Sequence, residues 1–463
     1  VIVTHRPRVP FHWLVAMTLP WAMVVLLSNV NDQAITYTIR KFVIDPRWIA
    51  ALTSLNFMSN VVVGAPCAFV SDRYWTRWGR RRPWLIASLL TSAALLVFVP
   101  LAPSLLLLVP LLIVLQAAID LSTPLEALYF EVVPQAQRGR AVALRTIAMT
   151  LTGLFFTAVL FAQFDRRYSL SACVHLTGEQ VLYAATAALL LGTALFLAYG
   201  VRETALAPAA LSSRSGLRAF FVEVFGDARW YPVYLLYIIP TLLQAGAGPF
   251  LPLLITERFG YSKPQMVAVT LPVMLLAAAL VMPVIGWLAD RVARTRLVLA
   301  GMLGQLLYVA VYWWYVSFAA PGGIPALATI LGFGLVGAVC NAAVAVTFGA
   351  LLFDFVPSNR MGTLSAGFGL LANGLRITLV NVCGVFITWY PHIRPAAAAT
   401  GRGTHDYAAV LVAQLVFGAG ALGLFLLFLW LRRRGYVTEY ARIEQQAEAA
   451  AATGTPQPIA LPT

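Results

Sequence analysis

The chain has little charge. Of its 463 residues only 11% are charged, and 60% are hydrophobic. A soluble domain carries roughly a quarter charged residues, so this composition excludes an ordinary water-soluble fold. Lysine is nearly missing: the 32 basic residues include only Lys41 and Lys263. Cysteine numbers four and histidine five. Cys67, Cys340 and Cys383 lie in apolar runs and Cys173 in a polar connection. That placement excludes a disulfide framework, and no Cys/His spacing fits a metal. P-loop, nucleophile elbow, H-E-x-x-H and dinucleotide fingerprints are all missing, so neither an enzyme nor a bound cofactor is expected. The period-2 alternation of a membrane β-barrel is missing too.

What the chain does have is long apolar runs. A run of roughly 20 such residues crosses a bilayer as a helix, the form that pairs every backbone polar group internally. The runs fall at about 11–39, 48–71, 84–103, 105–130, 140–164, 180–201, 231–255, 264–289, 297–316, 325–353, 361–389 and 408–432. The expected fold is an all-α membrane protein of about twelve transmembrane helices. The first run is too long for a signal-peptide core and has no small-residue cleavage site after it, so it reads as a retained helix. Basic residues number 21 on the N-terminal side and 9 on the other, which predicts cytoplasmic termini in a cell inner membrane. The net charge of +14 is therefore read as topology, with the lipid bilayer as partner and no nucleic acid.

The chain repeats itself. Tyr129-Phe130-Glu131-Val132-Val133-Pro134, then Arg138-Gly139, corresponds to Leu352-Phe353-Asp354-Phe355-Val356-Pro357, then Met361-Gly362, at an offset of 223 residues. Ser71-Asp72-Arg73 corresponds to Ala289-Asp290-Arg291 at an offset of 218. Two matches at nearly one offset imply six helices followed by six. The expected division is a first half at 1–201, a cytoplasmic linker at 202–229, a second half at 230–432 and a tail at 433–463. Within the linker, Leu217 to Glu223 reads as an amphipathic surface helix.

Polar residues inside the spans mark a candidate path. Asp32, Asp120 and Glu126 are acids within predicted helices, where a charge costs roughly 2.5–3.5 kcal/mol on insertion scales. They are the proton-coupling candidates. Asn29, Asp32, Gln33 and Thr36 share one helical face. Asn56 and Asn60 share another, and Asn373 and Arg376 a third. Gln244, Gln305 and Asn341 are single polar points, and Arg145 is a basic one. Amides and hydroxyls both donate and accept, which suits a polyhydroxylated substrate, although a lone intramembrane amide more often bonds a neighbouring helix. Glu126 and Arg145 are a plausible ion pair. Tyr37, Tyr129, Trp313 and Trp314 are candidates to stack on a sugar ring, while aromatics near span ends more often form the interfacial belt. Gly246 to Pro252, with two glycines and two prolines, predicts a broken helix.

The loop Ser71-Asp72-Arg73-Tyr74-Trp75-Thr76-Arg77-Trp78-Gly79-Arg80-Arg81-Arg82-Pro83 resembles the D-R-x-G-R-R motif of the major facilitator superfamily. In its longer form it is similar to sucrose/proton symporters, their animal relatives and glycoside–pentoside–hexuronide symporters. Thr123 to Leu128 resembles the fourth helix of the animal branch. The resemblance implies two six-helix halves that rock about a midplane site. It implies proton-coupled symport of a glycoside such as sucrose or maltose, by a monomer driven by the proton motive force. Ala68 stands where sodium-coupled relatives carry an acid. Leu115 stands where sucrose symporters carry an Asp, with Asp120 five residues on. Asp72, Arg73, Arg77, Gly79, Arg80, Arg81, Glu131, Arg138, Asp290, Arg291 and Asp354 are expected to form a cytoplasmic latch between the halves. An exporter or antiporter of another small molecule, or a transport-silent receptor or assembly factor, remains the alternative on this fold.

Overall fold

A computed structural model describes residues 10–71, 76–125, 128–129, 133, 137–171, 174–201, 221–222, 225–319, 326–356, 361–393 and 405–438. Among the described residues, twelve apolar helices make up the multi-pass bundle. They are α1 (Phe11–Arg40), α2 (46–71), α3 (Arg82–Leu101), α4 (Leu105–Asp120), α5 (138–163), α6 (Gly178–Gly200), α7 (Ala228–Arg258), α8 (263–291), α9 (Arg294–Phe318), α10 (Leu327–Phe353), α11 (Met361–Ile393) and α12 (Ala409–Arg433). Ten of them contain stretches long and apolar enough to cross a membrane. Most of the linker, including its expected amphipathic helix, and the tail beyond 438 lie outside the described residues.

Local chemistry sets the helix starts. Asp45 caps α2 by accepting from the Arg47 amide at 2.9 Å, with Pro46 at the first helical position. Thr177 and Gln180 close a capping box on α6, and Ser262 and Gln265 close another on α8. Helix α4 ends at Asp120 in a turn that contains Pro124, so the fourth expected span is broken rather than continuous to 130. One element was not anticipated. Arg167–Ser171 and Val174–Thr177 form an antiparallel hairpin, β1 and β2, between α5 and α6.

Among the described residues, six helices carry a π turn, where one extra residue shifts every later side chain around the axis. In α1 it spans Val30–Ala34 and in α7 Leu254–Arg258, an offset of 224 residues. In α2 it spans Asn60–Gly64 and in α8 Ala277–Val281, an offset of 217. The repeat seen in the sequence thus reappears as backbone irregularity.

Helices α3 and α6, α1 and α5, α7 and α12, and α9 and α10 pack closely as pairs. The seam between the first and second six is uneven. Along it α2 lies tightly on α11, because Gly384 lets the backbones close: a Cβ there would sit 2.6 Å from that of Ala50. The symmetry-related approach of α5 to α8 is looser, and a cavity opens beside it.

Candidate functional site

The π turn of α1 carries three consecutive polar residues, and each borders at least one of two adjoining cavities. Asn31 is buried and accepts from the Gln116 amide on α4. Asp32 turns into a cavity between the two halves and stays accessible there. Gln33 faces a second, adjoining cavity and donates to Asn29 at 3.4 Å. Eight residues separate Asp32 from Arg40 at the end of α1, about 12 Å of helix, which places the carboxylate well inside the bilayer.

The first cavity, of about 290 Å³, is polar. Ser28, Asp32 and Thr36 of α1, Thr53 and Asn56 of α2, Thr241 and Gln244 of α7 and Arg376 of α11 reach it. Among the described residues Arg376 makes no hydrogen bond or ion pair; its guanidinium carbon lies 5.7 Å from the Phe57 ring centre. Asp32 receives only long contacts, from Ser28 at 3.4 Å and Asn31 at 3.5 Å. A carboxylate and a guanidinium thus share one chamber without satisfying each other. The second cavity, of about 500 Å³, is mainly apolar and aromatic, with Met266, Val273, Tyr308, Tyr312, Ile330 and Phe333 in its walls. Asp32, Gln244 and Gly248 border both.

Helix α7 supplies the hinge between them. Tyr231–Leu243 ends at Gln244, and Ala247–Leu253 restarts after Gly246, whose φ of 68° is left-handed. A Cβ on Gly246 would lie 2.7 Å from Cys383 Sγ, so both conformation and space require glycine here. Gln244, freed from regular helix, donates to Asn341 at 3.2 Å.

Other sequence-derived candidates fall elsewhere. Asp120 is buried and accepts from Asn60 at 2.9 Å, while Asn60 accepts from Asn373 at 2.7 Å. These three form a polar relay across the seam beside the cavity rather than part of its wall. Arg145 stacks 4.4 Å over Trp21 and lies 6.0 Å from Tyr129, so it sits within the first six helices. Its expected partner Glu126 lies outside the described residues. Asn29 bonds the Val25 carbonyl at 2.8 Å. Tyr37 bonds Pro252 and Thr256 across the seam, Trp313 donates to Tyr390 at 3.2 Å, Tyr129 is buried, and Trp314 is exposed on the outer surface. None of these four rings borders either cavity.

The latch motif is partly visible. Asp72, Arg73 and Glu131, and the side chains of Arg138 and Asp290, lie outside the described residues. Gly79 forms a tight turn with Thr76 at a φ of 107°, which explains the glycine. Arg77 is exposed beside Trp78, whereas Arg81 is buried and Arg80 partly so. Arg291 covers the Trp287 ring at 4.1 Å. Asp354 pairs with Arg294 at 2.6 Å inside the second half, not across the seam. Arg82, next in the motif, donates to the Leu197 and Ala198 carbonyls and so caps the end of α6.

The end of the bundle opposite this motif holds charges that sequence reasoning placed outside the helices. Arg40 pairs with Glu257 and Lys263 with Asp165, each joining the two halves. Thr388 donates to Asp45 at 3.4 Å across the same seam. Lys41 pairs with buried Glu179, which also accepts from Thr38 at 2.6 Å, and Arg258 lies 3.5 Å from Asp406. The capping sequence Thr177-Gly178-Glu179-Gln180 signals that α6 begins early enough to include Glu179. Glu257 carried no comparable signal, because it lies beyond the apolar run.

Comparison with known families matches residues 12–380 to the Major Facilitator Superfamily. No curated protein matches the chain in a sequence comparison. Among solved structures, a bacterial homologue of the human lysosomal transporter Spinster, inward-facing and occupied, has a TM-score of 0.67 at 16% identity, covering 90% of this chain and 96% of that one. A D-xylose–proton symporter has a TM-score of 0.61 at 14% identity, with 88% and 95% covered. The nucleoside transporter NupG, in a mutant form, has a TM-score of 0.62 at 12% identity, with 90% and 99% covered. These likenesses establish the shared fold.

Proposed function

The chain belongs to the Major Facilitator Superfamily, and on that premise we propose that it is a proton-coupled symporter of a glycoside or disaccharide. Membership makes it a membrane transporter of a small molecule rather than an enzyme. The finer reading rests on one observation: the polar chamber between the halves, where Asp32 and Arg376 meet a wall of hydroxyls and amides. Each of those neutral groups both donates and accepts, as sugar hydroxyls do. One of the similar folds is a sugar–proton symporter, but likeness at that identity carries fold alone.

Proton and substrate meet at Asp32 in this reading. Its carboxylate is the one acid, among the described residues, that borders either cavity. A protonated Asp32 donates to a substrate hydroxyl and carries no charge through the apolar seam. On release the proton leaves, and the carboxylate then shares its chamber with the Arg376 guanidinium. Rocking of the halves exposes the chamber to alternate sides. The pairs Arg40–Glu257 and Lys263–Asp165 hold one end of the seam in the state described here. Cytoplasmic termini and an inner-membrane location belong to the same proposal, on the strength of the loop-charge bias.

Uptake of labelled sucrose and maltose, with and without a protonophore, tests this reading. Uptake that collapses with the proton gradient supports it. Undiminished uptake removes the coupling, and no uptake by membrane-inserted protein removes the sugar assignment.

A further inference from the structure

We propose that the end of the bundle where α1 begins docks anionic phospholipid at three places, each an arginine over an exposed tryptophan: Arg77 with Trp78, Arg291 with Trp287, and Arg434 with Trp430. The inference concerns the lipid-facing rim and stands apart from the sugar reading.

Helix count puts all three pairs at one end. Residues 77 and 78 lie between α2 and α3, 287 and 291 close α8, and 430 and 434 straddle the end of α12. The backbone under each pair differs, yet the pair recurs. The first sits on a tight turn: Thr76 and Gly79 exchange backbone hydrogen bonds at 3.0 Å, and Thr76 Oγ1 donates to the Gly79 carbonyl at 2.7 Å. In α8 and α12 the partners stand four residues apart, which places ring and guanidinium on one helical face. The α12 pair is fixed further by its C-cap. Gly435, at a φ of 80°, donates to the Arg432 carbonyl and Tyr436 to that of Leu431, both at 3.1 Å. The guanidinium carbon lies 4.1 Å from the ring centre at Trp287, 4.2 Å at Trp430 and 6.0 Å at Trp78.

Charge selects the partner. All three arginines are exposed, and among the described residues no carboxylate pairs with any of them. The three indoles are exposed as well. An indole on the rim of a membrane protein seats at headgroup level. A guanidinium held over it keeps its planar N–H fork free, and that fork matches a phosphate. An anionic lipid brings both the phosphate and an uncancelled charge, whereas a zwitterionic lipid cancels that charge with its own amine.

The opposite end of the bundle supplies the contrast. Trp48, Trp314 and Trp389 are exposed there, and among the described residues none has a cation over its ring. Arg40, Lys41, Arg47, Arg258 and Lys263 each face a carboxylate at that end. Exposed indoles are thus common to both rims, and an unpaired guanidinium over the indole belongs to one. A generic aromatic belt does not produce that difference. Arg77 and Arg291, expected to bridge the halves, each cover a ring of their own segment instead. Phosphate could also come from solution, but the exposed indoles beside it need an apolar cover, which a lipid supplies.

Lipid binding is measured on the full chain by native mass spectrometry, with phosphatidylglycerol, phosphatidylethanolamine and phosphatidylcholine of equal acyl chains. Phosphatidylglycerol is expected to bind about fivefold tighter per site than either zwitterionic lipid. Arg77→Gln, Arg291→Gln and Arg434→Gln together should bring that ratio towards one, and so should Trp78→Leu, Trp287→Leu and Trp430→Leu together. Trp48→Leu, Trp314→Leu and Trp389→Leu together should leave it unchanged. Thermal unfolding checks that each variant is folded, and the single substitutions, each expected to remove part of the preference, stand in for a triple that is not. A ratio near one in the unaltered chain overturns the proposal. A full preference after loss of the three paired indoles assigns it to basic charge alone and overturns the pairs. Loss of preference in the opposite-end variant overturns the choice of rim, and displacement of the lipid by excess inorganic phosphate overturns the lipid as occupant.

Discussion

At the scale of single residues, two of the intramembrane acids, Asp32 and Asp120, separate by what surrounds them, while Glu126 lies outside the described residues. Asp32 borders both cavities and receives only long hydrogen bonds, so its carboxylate is available to a substrate or a proton. Asp120 instead is held by Asn60, which in turn is held by Asn373. Asp32→Asn is expected to lower proton-driven uptake more than tenfold while leaving thermal stability nearly unchanged, read by paired uptake and unfolding measurements. Asn60→Ala should do the reverse in emphasis. It strips a donor from buried Asp120, at a cost of about 1–3 kcal/mol. Asn373→Ala, which leaves the Asp120 contact intact, should cost less. Equal unfolding shifts for these two would refute the relay. The sequence made all three acids visible, since charges in apolar runs stand out. Asp32 lies in the π turn of α1 and Asn60, the partner of Asp120, in that of α2, and ideal helical spacing encodes neither irregularity.

At the scale of elements, the broken α7 is the clearest case of sequence dictating backbone. Glycine and proline from 246 to 252 predicted a break, and Gly246 supplies it with a left-handed turn against Cys383. Gly246→Ala is expected to cost about 1–3 kcal/mol from backbone strain and crowding together. Adding Cys383→Gly should recover the crowding part only, which unfolding of the single and double variants can resolve. The β1–β2 hairpin shows the opposite situation. Its strands are five and four residues long, within the range where a short polar connection carries no periodic signal. The aromatic chamber is a third case. Tyr308, Tyr312 and Phe333 read as ordinary core positions on apolar helices, and only the packing of α8, α9 and α10 gathers them around a void.

For the whole molecule, the seam between the halves governs what the protein can do. Two cross-seam ion pairs, Arg40–Glu257 and Lys263–Asp165, close the end opposite the latch motif. Glu257→Gln combined with Asp165→Asn should loosen that end, which thiol labelling of a cysteine placed at Thr256 would report as faster reaction. Unchanged labelling would mean that Tyr37 and the α2–α11 contact suffice to hold it. The same end carries a pH signature. Burial pushes His405 below its ordinary value, an effect that nearby Asp45 partly opposes. A histidine with a depressed folded-state pKa contributes stability above its unfolded value of about 6.5 and loses it as pH falls. Unfolding should therefore come earlier at pH 5.5 than at pH 8, and His405→Gln should reduce that difference. Asp45, held below the usual carboxylate range by hydrogen bonds from the Arg47 side chain, keeps its charge throughout that window.

The sequence by itself determined the class of the molecule. Apolar runs of bilayer length fix helices, because the backbone finds no other partners in lipid. Matched motifs at offsets of 223 and 218 residues fix the two-fold organisation. Turn and cap residues such as Gly79, Gly246, Asp45 and Thr177 fix where the helices bend and begin. Only the tertiary structure decided which polar residues meet. Asp32, Gln244 and Arg376 come from α1, α7 and α11, and Glu257 reaches Arg40 across 217 residues of chain. The physical reason is that a cavity and a seam are properties of facing surfaces. Each helix carries half of such a contact, and its sequence is silent about which neighbour supplies the other half.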